Sequence, residues 1–447
     1  MKVLFVVTAF YPEQAIGSVR TTKFAKYLAR NGVEVSVISL APAPWALRDE
    51  GLHFPELDSM QWTQIDQSPR FKRLFQKARN AAVGNTSAVG YVRPSGAGRS
   101  MMAVVKSSAQ LAYTLLKSFD WVRQVKKHAR KSMRGQHFDA IFCSYPSFSS
   151  PFAAHALSRA GMSDVVAIDL RDPVSYGSNN RFGVLRFLER GMVRRARMAS
   201  FVSEGVRAKV MGDGSSDQIV RVITNGFDPD DAEAIEASPR IRSATGVLRF
   251  AYVGALYGGK RDMTPFFRAA RQALDSSGHD GNTLELHYAG GEGDLFTRQA
   301  AEHGLDGNVV NHGRVSRAES LALQKAADAC LVTTWNSPED KGILTGKVFE
   351  FFMLRKPVVA IVNGPLAGSE LGEIIDRTGA GICAEDADPQ GYPRLVNWIE
   401  EALRTKIETG TLPCSYADQV NAFGFPALAA DLQEALDAAV GQSQRQY

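Results

Sequence analysis

The sequence predicts an α/β protein made of two doubly wound domains in tandem, and three observations carry that reading. At 447 residues the chain is longer than one ordinary core accommodates. Short apolar, β-branched runs alternate with stretches of helical periodicity, the pattern of parallel sheets covered by helices. That alternation begins twice, at Val3 and at Leu248, each time as a strand entering a glycine-containing turn. A composition of 45% hydrophobic and 22% charged residues excludes disorder on a large scale.

Val3 to Thr8 reads as a buried strand, followed by a loop through Tyr11-Pro12-Glu13 to Gly17-Ser18. Val19 to Asn31 is a helix with Phe24 and Leu28 on one face, stopped by Asn31-Gly32, and Val33 to Leu40 is the next strand. From about residue 45 to 135 the rhythm lapses into a basic insertion with a Gly/Ser-rich gap at Val92 to Ser100. Within it, Leu111 to Arg130 is an amphipathic helix carrying Leu115, Leu116, Phe119, Trp121 and Val122. Regular order resumes with the strand at Phe138 to Cys143, a helix after Pro151 and the strand Val165 to Leu170. The helix Phe187 to Met198, the short strand Ala199 to Val202 and the turn Asn225-Gly226-Phe227-Asp228 follow. The second series places strands at Leu248 to Gly254, Leu284 to Ala289, Val309 to Asn311, Ala329 to Thr333 and Val358 to Val362. Two such series imply two Rossmann-like lobes with a ligand cleft between them, residues 1–235 and 236–415. A last segment, 416–447, holds the helix Phe425 to Val440.

Four scattered cysteines, Cys143, Cys330, Cys383 and Cys414, argue against a disulfide framework or a zinc site and suit a reducing cytoplasm. The apolar run after Lys2 is cut by Tyr11-Pro12-Glu13 before it reaches leader length. No stretch approaches the roughly 18 apolar residues of a membrane span. Charge is uneven: between Gln67 and Gly135 fifteen lysines and arginines face one acid, Asp120, a local +14 in a chain of +5. Phe71, Leu74 and Phe75 among Arg70, Lys72, Arg73, Lys77 and Arg79 predict an interfacial helix on anionic lipid, with a solvated basic loop as the plain alternative. Nucleic acid is disfavoured because no recognition module accompanies the patch.

The chemistry concentrates in the second half. Gly342-Ile343-Leu344-Thr345-Gly346-Lys347-Val348-Phe349-Glu350 runs from a loop into a helix, a loose phosphate-loop pattern that lets backbone N–H groups face a diphosphate and Glu350 accept from a ribose diol, with a capped helix bearing Lys347 and Glu350 on its solvated face as the plain alternative. It is not a Walker A loop, since the spacing differs and no Ser or Thr follows Lys347. Upstream, Gly254-Ala255-Leu256-Tyr257-Gly258-Gly259-Lys260-Arg261 presents two cations after a strand. Asn311-His312-Gly313-Arg314-Val315 ends another strand in a tight turn. In the first half, Asp169-Leu170-Arg171-Asp172-Pro173 closes a strand at the edge where such sheets bind ligands.

Taken in order, these segments resemble glycosyltransferase family 4, enzymes of the GT-B fold, over nearly the whole chain outside residues 45–135. The resemblance implies two Rossmann-like domains facing each other across a cleft, with the C-terminal helix crossing back to the N-terminal lobe. It implies a nucleotide-sugar donor, held by Gly17, Gly313, Val315, Thr345, Gly346, Lys347 and Glu350. Lys260 and Arg261 would stabilise the departing diphosphate, and Asp172 would serve the reaction from the first lobe. Arg20 and Arg171 fall on the acceptor side, and the acceptor would be a glycan or a lipid-linked one, as in surface polysaccharide assembly. Transfer would retain anomeric configuration without a metal cofactor; Asp228-Pro229-Asp230 and Asp386-Ala387-Asp388 are read as caps or solvated acids. Localisation would be cytoplasmic, with a peripheral hold on the membrane through residues 67–135. Two departures stand out: Ala255 replaces the family's arginine, and Gly342 the first of its paired glutamates, with Glu339 and Asp340 nearby. A nucleotide-sugar epimerase of the same fold and a non-catalytic nucleotide-binding scaffold are the rival readings. A dehydrogenase is disfavoured, because the first turn lacks Gly-x-Gly-x-x-Gly.

Overall fold

The computed structural model describes residues 1–44, 46–73, 101–173, 183–212, 217–236, 246–278 and 281–445. The chain divides into two compact units, Met1–Thr224 with Phe425–Tyr447, and Asn225–Gly424.

The first unit is a seven-stranded sheet: β1 (Lys2–Val7), β2 (Glu34–Leu40), β3 (Gln61–Ile65), β4 (Ala140–Tyr145), β5 (Val166–Leu170), β6 (Met198–Phe201) and β7 (Ile219–Val222). Every pairing is parallel and the order is β3-β2-β1-β4-β5-β6-β7, so the sheet reverses direction between β1 and β4. Its helices are α1 (Ile16–Arg30), α2 (Met101–Ser132), α3 (Ser149–Ser158), α4 (Val184–Arg195) and α5 (Glu204–Met211). Side chains alternate between the faces of β1: Leu4 and Val6 join the core with α2 to α5, Val3, Phe5 and Val7 the core with α1.

The basic stretch contributes more to this unit than its sequence suggests. β3 lies inside it, an edge strand whose Gln-Trp-Thr-Gln-Ile pattern is too polar to read as buried. Trp121, Val125 and Ala129 of α2, with Met133 just beyond its end, are core residues at helical spacing, and the Trp121 indole donates to Ile65 O at 2.8 Å. Leu116 and Phe119, expected on the apolar face, are instead 50% and 57% exposed. Phe71 corrects the interfacial-helix expectation: it is buried and packs against Tyr113, ring centroids 5.9 Å apart. Leu74, Phe75, Lys77 and Arg79 of that expectation lie outside the described residues.

The second unit opens with α6 (Pro229–Glu236) and has six strands: β8 (Leu248–Val253), β9 (Leu284–Ala289), β10 (Val309–Asn311), β11 (Ala329–Trp335), β12 (Val358–Asn363) and β13 (Gly381–Glu385). All are parallel, in the order β10-β9-β8-β11-β12-β13, with the reversal between β8 and β11. Helices α7 (Thr264–Ser277), α8 (Gly293–Ala301), α9 (Arg317–Ala326), α10 (Lys347–Met353), α11 (Glu370–Thr378) and α12 (Gly391–Thr409) follow the strands. The turn at Asn225–Asp228 belongs to this unit rather than to the first, because Phe227 N–H donates to Phe423 O at 3.0 Å.

The final helix α13 (Phe425–Gln444) rejoins the first unit. Leu428, Leu432 and Leu436 lie one turn apart and share a core with Phe24 and Leu28 of α1; the Phe24 and Phe425 rings are 5.6 Å apart. Among the described residues no helix is long and apolar enough to cross a membrane.

Candidate active site

The sheet of the second unit brings its predicted residues to one edge. β8 and β11 are neighbours that part at the reversal, and their carboxyl ends carry the turn after Val253 and Trp335. Such reversal points leave a crevice for ligands. The turn is tight: Tyr257 has φ 53° and Gly258 φ 63°. It delivers Lys260 Nζ to 3.6 Å from the centre of the Trp335 ring and 3.1 Å from Asp340 Oδ2, which also accepts from the Trp335 indole at 3.2 Å. The Arg261 guanidinium lies 4.6 Å over Tyr257 and 6.0 Å from the Trp335 ring, and its Nε–H is buried with no acceptor. Two cations beside one aromatic ring, with Asp340 as the carboxylate bonded to Lys260, make this a place where an anion is attracted.

Glu350 sits in the first turn of α10. Its Oε2 accepts from Lys347 Nζ at 2.8 Å and from Gln324 Nε2 at 3.3 Å, which fixes the carboxylate and leaves Oε1 to other donors. Gln324 was not foreseen; only the fold brings α9 against α10. Thr345 is buried and its hydroxyl accepts from Lys347 N–H at 3.4 Å, holding the Thr345-Gly346-Lys347 entry to the helix. The turn after β10 is closed by its own bonds: Gly313 N–H donates to Asn311 Oδ1 at 3.0 Å and Gly313 O accepts from Gly290 N–H at 2.8 Å. Gly313 therefore shapes this turn with groups already engaged, and Val315 stands one residue before Ser316, the N-cap of α9. His312, stacked on His287 at 5.3 Å, has its pKa lowered by burial and by that neighbour.

In the first unit the predicted residues divide into a strut and an exposed rim. Arg20 is a buried strut rather than a group meeting an acceptor: only 1% exposed, it donates to Asp169 Oδ2 at 3.0 Å and Oδ1 at 2.7 Å and to the carbonyls of Ile223 and Thr224 at 2.8 and 2.5 Å. Asp169 also accepts from Ser144 and Ser200 at 3.0 and 2.9 Å. Arg171 is held by Ser144 Oγ at 3.2 Å, and its guanidinium covers Gly17, where a Cβ would come within 2.5 Å of Nη1. A side chain at position 17 would displace that guanidinium. Burial lowers the Arg171 pKa against the pull of Asp169 and Asp172, and it remains a cation. Asp172 is exposed beside it; surrounding protein pushes its carboxyl upward, Arg171 opposes, and the open surface tempers the shift.

The Asp-x-Asp triplets bind main-chain N–H groups, Asp228 at the start of α6 and Asp386 and Asp388 in turns. Asp228 accepts from Asp230 N–H at 3.0 Å, Asp386 from Gly364 N–H at 3.1 Å, and Asp388 from Gln390 N–H at 3.0 Å while pairing with Arg394 at 2.7 Å.

Comparison with known proteins agrees with this architecture. Residues 17–226 match the Glycosyl transferase 4-like domain profile. Sucrose-phosphate synthase from Thermosynechococcus elongatus is 16% identical, with 100% of this chain and 98% of that one covered and a TM-score of 0.57. Alr3699/HepE from Anabaena, in complex with UDP and glucose, is 15% identical over 98% and 100% of the two chains, TM-score 0.54. A trehalose-6-phosphate structure from E. coli, bound with UDP-2-fluoro glucose, is 12% identical over 98% and 99%, TM-score 0.62. Among curated proteins no sequence matches.

Proposed function

We propose that this GT-B protein, glycosyltransferase family 4-like through its residues 17–226, transfers a sugar with retention from a nucleotide-sugar donor to a glycan or lipid-linked acceptor. The observation that carries the reading is the convergence of Lys260 and Arg261 on Trp335 at the sheet reversal of the second unit. Departure of a nucleoside diphosphate leaves negative charge on its terminal phosphate, and cations fixed beforehand stabilise that charge as it develops. The C1–O bond to the phosphate breaks while the acceptor oxygen bonds to C1 on the same face, its proton passing to the departing phosphate. Glu350, oriented by Lys347 and Gln324, is suited to a ribose diol. Arg171 and Asp172 are suited to the acceptor. No metal is needed in this scheme, since lysine and arginine supply the positive charge.

Two of the similar structures are described with UDP or a UDP-sugar, which sets the first nucleotide to test. Calorimetric titration with UDP, GDP and ADP, alongside Glu350→Ala, tests the donor site. Selective binding of one nucleotide, weakened in the variant by about tenfold or more for loss of a charged acceptor, is the expected result. No binding of any of the three would leave a non-catalytic scaffold as the better account.

We place the acceptor at an anionic membrane surface because of α2. Arg123, Lys126, Lys127, Arg130 and Lys131 share one face of it with exposed Leu116 and Phe119, a basic surface with apolar tips. Flotation with phosphatidylglycerol vesicles should recover the protein, and phosphatidylcholine vesicles should not. Retention of lipid binding after Lys126→Glu/Lys127→Glu/Arg130→Glu would refute the placement.

A further inference from the structure

We infer that Glu292 is a positioning residue of the donor site: its carboxylate sets the turn that carries Lys260 and Arg261, and its loop ties that turn to the one at 311–314. The inference rests on the donor reading above. Glu292 stands between β9 and α8, in the run Gly290-Gly291-Glu292-Gly293. Its Oε2 accepts from Leu256 N–H at 2.6 Å and Tyr257 N–H at 3.1 Å, and its Oε1 from Gly258 N–H at 2.7 Å. Three successive N–H groups turned to one side form a nest for an anion, and here the anion is a side chain. The left-handed backbone of Tyr257 and Gly258 turns these groups inward, and charge-assisted bonds to a carboxylate offset the strain at Tyr257.

One consequence follows for the donor. The amides of 256–258 are occupied, so from this turn phosphate is met by the Lys260 and Arg261 side chains rather than by main chain. The same turn then hands on to the two cations through its own bonds, Lys260 N–H donating to Tyr257 O at 3.3 Å and Arg261 N–H to Leu256 O at 3.0 Å.

The loop that carries Glu292 reaches both turns. Its N–H donates to Tyr288 Oη at 3.1 Å, and that hydroxyl donates to Gly254 O at 3.1 Å. Next to it, Gly290 N–H donates to Gly313 O at 2.8 Å. Side chains are excluded at Gly290 by Gly254 O and Tyr288, at Gly291 by Arg314 and at Gly293 by Asn311, so three loops interlock around one carboxylate.

The test is nucleotide binding by the full chain carrying Glu292→Gln or Glu292→Asp, with thermal melting of both. Glutamine turns an N–H against the nest; aspartate keeps the charge on a shorter arm. For whichever of UDP, GDP and ADP the wild type binds, Glu292→Gln should weaken the diphosphate about tenfold and the matching nucleoside by much less, with partial recovery in Glu292→Asp. Unchanged diphosphate affinity in both variants overturns the inference while leaving the donor reading intact. Equal loss of nucleoside and diphosphate with a lowered melting point also overturns it, because that is the mark of a merely structural residue. Failure of the wild type to bind any of the three nucleotides sinks the donor reading, and this inference with it.

Discussion

Asp169→Ala should cut the first unit's stability by about 3–5 kcal/mol, the usual cost of leaving a buried ion-pair partner alone. Asp169 is fully buried and Arg20 is 1% exposed. Removing the carboxylate takes both side-chain acceptors from Arg20 and the shared acceptor from Ser144 and Ser200. The guanidinium keeps only the Ile223 and Thr224 carbonyls, too little to solvate a charge in this position. At roughly 2–4 °C per kcal/mol for a unit of this size, the melting point should fall on the order of 10 °C. Hydrogen exchange resolved by peptide is the assay, because it separates the units: amides of β4, β5 and β6 should lose protection while those of β8 and β11 keep theirs. Arg20→Met with Asp169→Leu should recover much of the loss. A change under about 1 kcal/mol in Asp169→Ala would refute the reasoning.

The same pair fixes a pH dependence. Burial pushes the Asp169 carboxyl up, but the Arg20 charge and hydrogen bonds, with Arg171 and Ser200, outweigh it, and the folded value is lowered. A depressed folded pKa contributes stability above the unfolded value of about 3.9 and loses it as pH falls through the folded value. The stability gap between wild type and Asp169→Asn should therefore be full at neutral pH and close in acid below about pH 4.

Three further outcomes are expected. Gly17→Ala should change stability by less than about 1 kcal/mol, because its Cβ meets only the mobile end of Arg171, yet slow transfer by displacing that guanidinium; thermal melts and acceptor kinetics separate the two. Gly290→Ala meets the Gly254 carbonyl, which cannot step aside, so the second unit should lose about 1–3 kcal/mol and nucleoside diphosphate binding with it, read by denaturation and calorimetry. Lys406→Met strands Asp328, paired with it at 2.6 Å and buried, and should destabilise the second unit by about 3–5 kcal/mol with β4 to β6 protection unchanged in hydrogen exchange.

Most of the frame was legible because both sheets are parallel and covered on both faces. Strands such as Val358–Asn363 then read as unbroken apolar runs, and the two restarts at Val3 and Leu248 gave the two lobes. What escaped were elements whose partners are distant in sequence. β3 is an edge strand half made of polar residues, so nothing in its period announced it. Arg20 sits at a helix start like a ligand-binding residue, and only the fold brings Asp169, 149 positions away, to consume it. Leu116 and Trp121 are both large and apolar, but they stand about 140° apart round the helix; the sheet beneath decides that the Trp121 side is core and the Leu116 side is not. Glu292 had one signal available, the three glycines around it, since such crowding marks backbone packed against backbone.

Gly342 shows how a departure from a family pattern is answered by conformation. Its φ of 70° lies in the left-handed region, where a glutamate would be strained by about 1 kcal/mol or more. The loop is shaped around that turn: Leu344 N–H donates to Gly342 O at 3.0 Å and Thr334 Oγ1 to Ile343 O at 3.0 Å. A glutamate at 342 would strain this bend, so the glycine is part of the loop's geometry. In the proposed donor site Asp340 is the acid bonded to Lys260, and it also accepts from the Trp335 indole. If Lys260 holds the phosphate as proposed, an acid bonded to it would couple sugar recognition to leaving-group stabilisation. Asp340→Asn should accordingly lower kcat more than it weakens nucleoside diphosphate binding, since the free diphosphate lacks the sugar that Asp340 would face. Equal effects on kcat and on diphosphate affinity would show that Asp340 only orients Lys260.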